Sequence, residues 1–325
     1  GDEAAFAELV EPHHRPLHAH CYRMLGSVHD AEDAVQETLL RAWRSLSSFQ
    51  GRSSLRSWLY TIATNVCLRA IERRPARVLP IDYGPPADPH EPLGEPLVES
   101  TWIEPYPDEK LGLDKGLAGP EARYEQRESV EIAFIAALQH LPARQRAVLI
   151  LRDVLGFSGA EVAEALQTTP ASVYSALQRA HETVDHRLPE LSQQATLRSL
   201  DDKQLREIVD RYVEAWERND VDAIAAMLTE SAILAMPPVA SWFRGRDAVA
   251  ALLKARPLHG GLQWRLTPTH ANGQLAAMAY LWDGAGGRFV LHHVAVLTLR
   301  GALIDEINAF HDPYAAAPFE PAGGG

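Results

Sequence analysis

The sequence predicts a multidomain chain: two all-α blocks followed by one α+β domain with a curved antiparallel sheet. Three observations predict it. Apolar residues recur at helical spacing through about residues 1–74 and again through 121–188. Between those blocks, residues 75–120 hold ten of the 22 prolines and nine Asp/Glu, a proline density no helix survives, so this is a linker. From about 201 to 316 the helical period gives way, after two helices, to short apolar runs separated by turn signals. A second, shorter joint runs from about Pro189 to Asp201, and residues 317–325 form a tail expected to be disordered.

The first block is a helical bundle. Ala31, Ala34, Val35, Thr38, Leu39, Ala42, Trp43 and Leu46 form the buried stripe of one helix, with Asp30 as its expected N-cap. Leu55, Trp58, Leu59, Ile62, Ala63, Val66 and Ala70 form a second stripe, and Phe49–Ser54 between them reads as a loop. In the second block, Ser158-Gly-Ala-Glu161 is a capping box. The turn Gln167-Thr-Thr169 and a helix-starting Pro170 follow, with Val173, Ala176, Leu177, Ala180 and Val184 facing inward. Helix, short turn, helix is the helix-turn-helix arrangement of DNA readers.

The third block opens with amphipathic helices at about 203–218 and 220–229. Strand character follows at 233–236, 242–244, 262–267, 276–282, 288–300 and 303–309, interrupted by one helix at about 246–255. Turn signals include Asn272-Gly273 and Gly284-Ala-Gly-Gly287.

The net charge of −12 argues weakly against nucleic acid, but the charge is segregated. Residues 1–40 hold eight Asp/Glu and two Arg; residues 41–79 hold eight Arg and one Glu. An acidic segment beside a basic one suits two different macromolecular partners. No apolar run is long enough to span a membrane and no basic-then-apolar leader opens the sequence, so a cytoplasmic location without a membrane partner is expected. Cys21 and Cys67 make neither a metal cluster nor a disulfide framework, and no cofactor is expected.

Opposite its core stripe, the first periodic helix carries Asp33, Gln36, Glu37, Leu40, Arg41 and Arg44; an apolar Leu40 among charges suits a partner surface. In the next helix Asn65, Arg69 and Arg73 recur every fourth residue, with Arg52, Arg56 and Arg74 nearby. Such a row tracks phosphates, and an Asn pairs with a base edge.

The runs from Asp30 to Trp43 and from Phe49 to Asn65 closely resemble region two of extracytoplasmic-function (ECF) sigma factors. The segment from Leu141 through Arg179 resembles their region four. The resemblance covers about 140 residues in the expected order and spacing. It implies two sigma domains that direct core RNA polymerase to promoter DNA, with no catalysis of their own. Asp33, Gln36, Glu37 and Leu40 would dock on the polymerase clamp helices, and the flap would be a second polymerase contact. The Phe49–Ser54 loop, with Arg52, Arg56, Asn65, Arg69, Arg73 and Arg74, would melt and read the minus-ten element. Ser172, Tyr174, Ser175, Gln178 and Arg179 would read the minus-thirty-five element. One departure is Arg69, which stands where many relatives have an acidic residue and leaves minus-ten specificity open.

The third block resembles the SnoaL-like branch of the nuclear-transport-factor-like cone fold through Tyr212–Trp216, Asp220–Leu228, Phe243–Val249 and Ile304–Phe310. The cone implies a cavity for a small apolar ligand, with Trp216, Trp242, Trp264, Trp282, His292 and Phe310 as candidate lining. Some relatives are enzymes, which makes Asp222, His292, His293, Asp305 and His311 the groups to weigh. Adjacent His292 and His293 are expected to face opposite sides of a strand, leaving no base-and-orienter pair and no catalytic residue. The linker run Thr101–Asp108 resembles a tryptophan-and-proline motif of sigma factors with such a domain. Trp102 and Tyr106, aromatic in a polar linker, are expected to anchor on a folded domain. Two other readings stand beside this one: a ligand-sensing helix-turn-helix regulator, and a SnoaL-class cyclase or isomerase.

Overall fold

The computed structural model describes residues 3–51, 53–97, 102–111 and 127–319. The chain divides into two compact units, Gly1–Arg77 with Glu109–Pro189, and Val78–Asp108 with Glu190–Gly325.

In the first unit, α1 (Glu3–Leu25), α2 (Val28–Ser45) and α3 (Leu55–Ile71) pack pairwise around Leu17, Cys21, Met24, Ala31, Val35, Leu59, Ala63 and Cys67, all fully buried. The cap of α2 is Ser27, not the expected Asp30. The Ser27 hydroxyl accepts the Asp30 N–H at 3.0 Å, so the helix starts three residues earlier. Asp30 sits in the first turn, where its carboxylate pairs with Arg77 at 2.7 Å and with Arg74.

The second half of this unit holds α4 (Ile132–Gln139), α5 (Ala143–Leu149), α6 (Gly159–Ala165) and α7 (Pro170–Asp185). A π turn, Ile150–Val154, extends α5. The expected capping box is present: the Ser158 hydroxyl accepts the Glu161 N–H at 3.2 Å, and Glu161 accepts the Ser158 N–H at 2.8 Å. Thr169 caps α7 with Pro170 at its first position, and Gln167 reverses the chain between α6 and α7 with a φ of 51°. Val173, Ala180 and Val184 point α7 into a core with Ile135, Leu138, Val148, Phe157 and Val162.

These two halves are joined by buried polar side chains. Arg23 of α1 donates to the Ser129 hydroxyl at 2.8 Å and to its carbonyl at 3.0 Å. Arg146 of α5 reaches the Met24 carbonyl and the Gln139 side chain.

The second unit is an α+β cone. Six strands, β1 (Leu228–Ala235), β2 (Trp242–Arg244), β3 (Trp264–Ala271), β4 (Gln274–Asp283), β5 (Arg288–Arg300) and β6 (Leu303–Phe310), form one sheet in the order β2-β1-β6-β5-β4-β3. The pairing is antiparallel as expected, except that β1 runs parallel to β6. Strand β4 is buried through its first half and β5 through most of its second, and the edge strand β3 tolerates Pro268, which cannot donate to a ladder. Helices α8 (Gln193–Arg198), α9 (Asp202–Glu217), α10 (Val221–Ala226) and α11 (Arg246–Ala255) belong to this unit, and α9, α10 and α11 bury Tyr212, Trp216, Ile224, Val249 and Leu252 in its core. A proline-rich strap, described over 78–97 and 102–108, packs on the cone. Ala87 N–H donates to the Trp242 carbonyl at 2.7 Å and Leu97 N–H to the Pro238 carbonyl at 2.9 Å. Asn272 exchanges two bonds with the Tyr106 backbone, at 2.8 and 2.9 Å. Trp102 and Tyr106 are buried at 6% and 1% exposure.

Candidate nucleic-acid interface and cone cavity

Helix α7 leaves Ser172, Tyr174, Ser175, Gln178 and Arg179 exposed on the side away from its buried stripe. Tyr174 is 56% exposed, a large aromatic that burial does not account for. Ser172 and Thr169 share a hydroxyl contact at 3.0 Å, and Gln178 donates to Glu182 at 3.2 Å, so both polar groups are held near the helix surface.

On α2, Asp33, Gln36 and Leu40 are exposed and Glu37 is half-buried, off the core stripe. Glu37 pairs with Arg41 one turn on. Arg69 is exposed on α3, but the helix ends at Ile71, so Arg73 does not continue the helical row expected with Asn65 and Arg69; it is exposed in the turn that follows, and Arg74 beside it is held by Asp30. Arg52 lies outside the described residues. Two more expected DNA contacts, besides Arg74, are engaged within the fold. Asn65 is half-buried and donates back to the Thr61 carbonyl at 2.8 Å. Arg56 lies 4.4 Å over the Phe157 ring and donates to the Leu155 carbonyl at 2.8 Å, binding the two halves of the unit together.

The cone encloses a cavity of about 250 Å³ with mainly apolar walls. Of the expected lining, Trp216, Trp264 and His292 face it. Trp242 is buried elsewhere, its indole N–H donating to the strap carbonyl of Gly84 at 2.8 Å. Trp282 is 39% exposed and packs on Phe289 instead. Phe310 is fully buried but off the cavity, because Ile307, Ala309 and His311 line it and alternation along β6 turns Phe310 to the other face. Sequence reasoning did not place Tyr212, Leu252, Arg256 or the strap's Leu93 on this wall. Of these, only the i, i+4 pair Tyr212 and Trp216 on one helix carried a readable signal.

The expectation that His292 and His293 point apart is overturned by a β-bulge. On β4, Ala279 pairs with His293 but Tyr280 pairs with Leu291, so His292 is the extra residue. Both imidazoles therefore reach the cavity, their Nδ1 atoms 3.0 Å apart. His311 follows β6 where Val294 pairs with Phe310, beside His293, with ring centroids 4.7 Å apart. Trp216 and Trp264 pack against the cluster at 5.1–5.9 Å. Burial pushes the pKa of His311 down to about 3 and lowers those of His293 and His292, with the neighbouring rings adding to the shift at His293 and His311. Of the other groups weighed, Asp305 accepts from Thr229 at 2.6 Å and pairs with Arg300, and Asp222 sits in the first turn of α10; neither lines the cavity.

Residues 9–76 match the Sigma-70 region 2 family, 131–183 the Sigma-70, region 4 family, and 209–307 the SnoaL-like domain family. Over 309 residues the chain is 43% identical to the ECF RNA polymerase sigma factor SigG of Mycobacterium tuberculosis, spanning 94% of this chain and 81% of that one. The chain belongs to the ECF RNA polymerase sigma factor family. Another ECF relative, SigE of Mycolicibacterium smegmatis, is 31% identical over 188 residues, 56% of this chain and 62% of that one. Among solved structures, the ECF sigma factor SigJ of Mycobacterium tuberculosis superposes with a TM-score of 0.59 at 23% identity, covering 94% and 95% of the two chains. That likeness shows a shared fold. In this ECF sigma factor, region 2 is thus α1–α3, region 4 is α4–α7, and the SnoaL-like domain is the cone. No helix among the described residues is long and apolar enough to cross a membrane.

Proposed function

We infer that this ECF sigma factor directs core RNA polymerase to specific promoters and initiates transcription there. The observation that carries the reading is region 2 followed by region 4 in one chain, 43% identical to SigG along 94% of its length. The exposed face of α2, with Asp33, Gln36, Glu37 and Leu40, is the polymerase-docking surface. The exposed face of α7, through Gln178 and Arg179, reads the upstream promoter element. Arg69 and Arg73 serve the downstream element with Arg52. Arg56 and Asn65 join them once the contacts that hold them are released, so the two halves of the first unit separate on promoter binding. The cone modulates this activity, with the strap anchored through Trp102 and Tyr106 as the element that couples it to the sigma regions.

Reconstituted transcription and binding with core polymerase test this reading. Replacing Asp33, Gln36 and Glu37 together with Ala is expected to weaken core binding at an unchanged melting temperature. Arg179→Ala is expected to cost about 1–3 kcal/mol on the native promoter and to relax preference at one upstream position. Trp102→Ala with Tyr106→Ala is expected to change transcript output while leaving core affinity intact. Core binding untouched by the α2 triple variant, or equal affinity of Arg179→Ala for every promoter variant, overturns the assignment of that surface. Unaltered transcript output from the Trp102 and Tyr106 double variant reduces the strap to a passive tether.

A further inference from the structure

The histidine cluster is the feature that promoter recognition leaves unused. Three imidazoles from two strands meet at one end of an apolar cavity, and the bulge at His292 is what brings the second of them there. A bulge re-aims a side chain, and here it turns a residue that alternation would direct away from the cavity onto its wall. The Nδ1 atoms of His292 and His293 approach to 3.0 Å. With a nitrogen of His311, the three candidate donor atoms all lie within 4.8 Å of one another. Among the described residues this is the one group of three or more His, Cys, Asp or Glu side chains gathered in this way.

We propose that His292, His293 and His311 form a binding site for a borderline divalent transition-metal ion, such as Zn2+ or Co2+, with one coordination position open to the cone cavity. Neutral imidazole nitrogen is a preferred ligand for these ions, and three protein ligands with a fourth position free is the pattern of an open rather than a structural site. Nitrogens on one tetrahedral Zn2+ at about 2.0–2.1 Å lie roughly 3.3 Å apart. The His292–His293 pair is already near that spacing, and His311 offers its nitrogen within 4.8 Å of the other two donor atoms. Trp216 and Trp264 wall the cluster, and an apolar shell of this kind limits solvent access to a bound ion. The open position faces about 250 Å³ of mainly apolar space, room for a water molecule or for a small organic ligand that donates oxygen or nitrogen to the metal. The ion would thereby give an otherwise apolar cavity a single polar anchor point. The site goes beyond promoter recognition and does not depend on it.

The test uses the full chain, without an affinity tag, stripped with a chelator and titrated with Co2+ and then with Zn2+. One equivalent of Co2+ is expected to bind with the strong visible absorption of a tetrahedral centre, and Zn2+ to displace it. His292→Ala, at a partly exposed position, is the variant least able to disturb folding; His311→Ala is the second. Each is expected to weaken Co2+ binding by more than the about 10–100-fold that loss of an outer-shell partner causes, with circular dichroism unchanged. His259→Ala, an exposed histidine of the same unit, is expected to bind as the unaltered chain does. Absence of saturable one-equivalent binding by the unaltered chain overturns the proposal, as does binding that His292→Ala and His311→Ala leave intact.

Discussion

Replacing Arg146 with methionine is expected to destabilise the unit that carries regions 2 and 4 by about 1–3 kcal/mol net, the scale for leaving a buried polar acceptor unpaired. Arg146 is 2% exposed, and burial pushes its pKa down to about 10. Its hydrogen bonds run to neutral acceptors rather than to a carboxylate. It donates to the carbonyl of Met24, to the Gln139 side chain at 2.6 Å and carbonyl at 3.0 Å, and to the Leu141 carbonyl at 3.3 Å. Methionine fills the volume and removes a desolvated charge, which offsets part of the loss. It also leaves several buried acceptors unpaired, each costing about 1–3 kcal/mol, and together these outweigh the relief of desolvation. Because Met24 belongs to α1 and Arg146 to α5, the loss falls on the joint between the two sigma regions. Urea denaturation followed by tryptophan fluorescence measures it, region 2 holding Trp43 and Trp58. A midpoint unchanged at constant slope would show that the joint does not depend on Arg146.

Much of this architecture is legible in the residues. Helix-turn-helix geometry needs a cap, a turn and a Pro at the first helical position, and Ser158, Gln167 and Pro170 stand in sequence at those places. The aromatic pair Trp102 and Tyr106 stands out in a polar, proline-rich segment, and burial is the physical reason it is there. The cone's strands announce themselves through short apolar runs and through Asn272-Gly273, both with positive φ at the β3–β4 turn. What stays hidden depends on pairing rather than on local preference. Nothing local marks His292 as a bulge; the shift appears only when Ala279 and Tyr280 take their partners on β5. The parallel β1–β6 pair joins segments about seventy residues apart, and no period within either strand encodes it. Ser27 and Asp30 both have capping side chains, and which of them caps α2 was settled by Arg74 and Arg77, which draw Asp30 into ion pairs. Likewise Arg56 reads as a phosphate contact from charge alone, and only the folded unit sets its guanidinium over Phe157.

Acidification from pH 7.5 to 5 is expected to lower the stability of that same unit by about 3–4 kcal/mol through His18 and His20, from proton linkage alone. His20 is fully buried between α1 and α3, its Nε2 3.0 Å from the Thr64 hydroxyl, and desolvation followed by the nearby Arg23 takes its pKa down to about 3. His18 is held down to about 4, again chiefly by desolvation, with Glu32 at 3.3 Å opposing the shift. Both folded values lie below the ordinary imidazole range, so the unfolded chain takes up protons first as the pH falls. The stability these residues contribute is therefore complete above about pH 6.5 and is lost progressively toward their folded values, at up to about 1.4 kcal/mol per pH unit for each. By pH 5 neither has reached its folded pKa, so each loses close to 2 kcal/mol by the same linkage. His20→Gln keeps a polar group near Thr64 and removes one of the two titrating sites, so the slope of unfolding free energy against pH should fall by about one proton. Chemical denaturation at half-unit steps between pH 7.5 and 5 gives that slope. A flat profile across this window would mean that the buried imidazoles of α1 are as easily protonated in the fold as out of it.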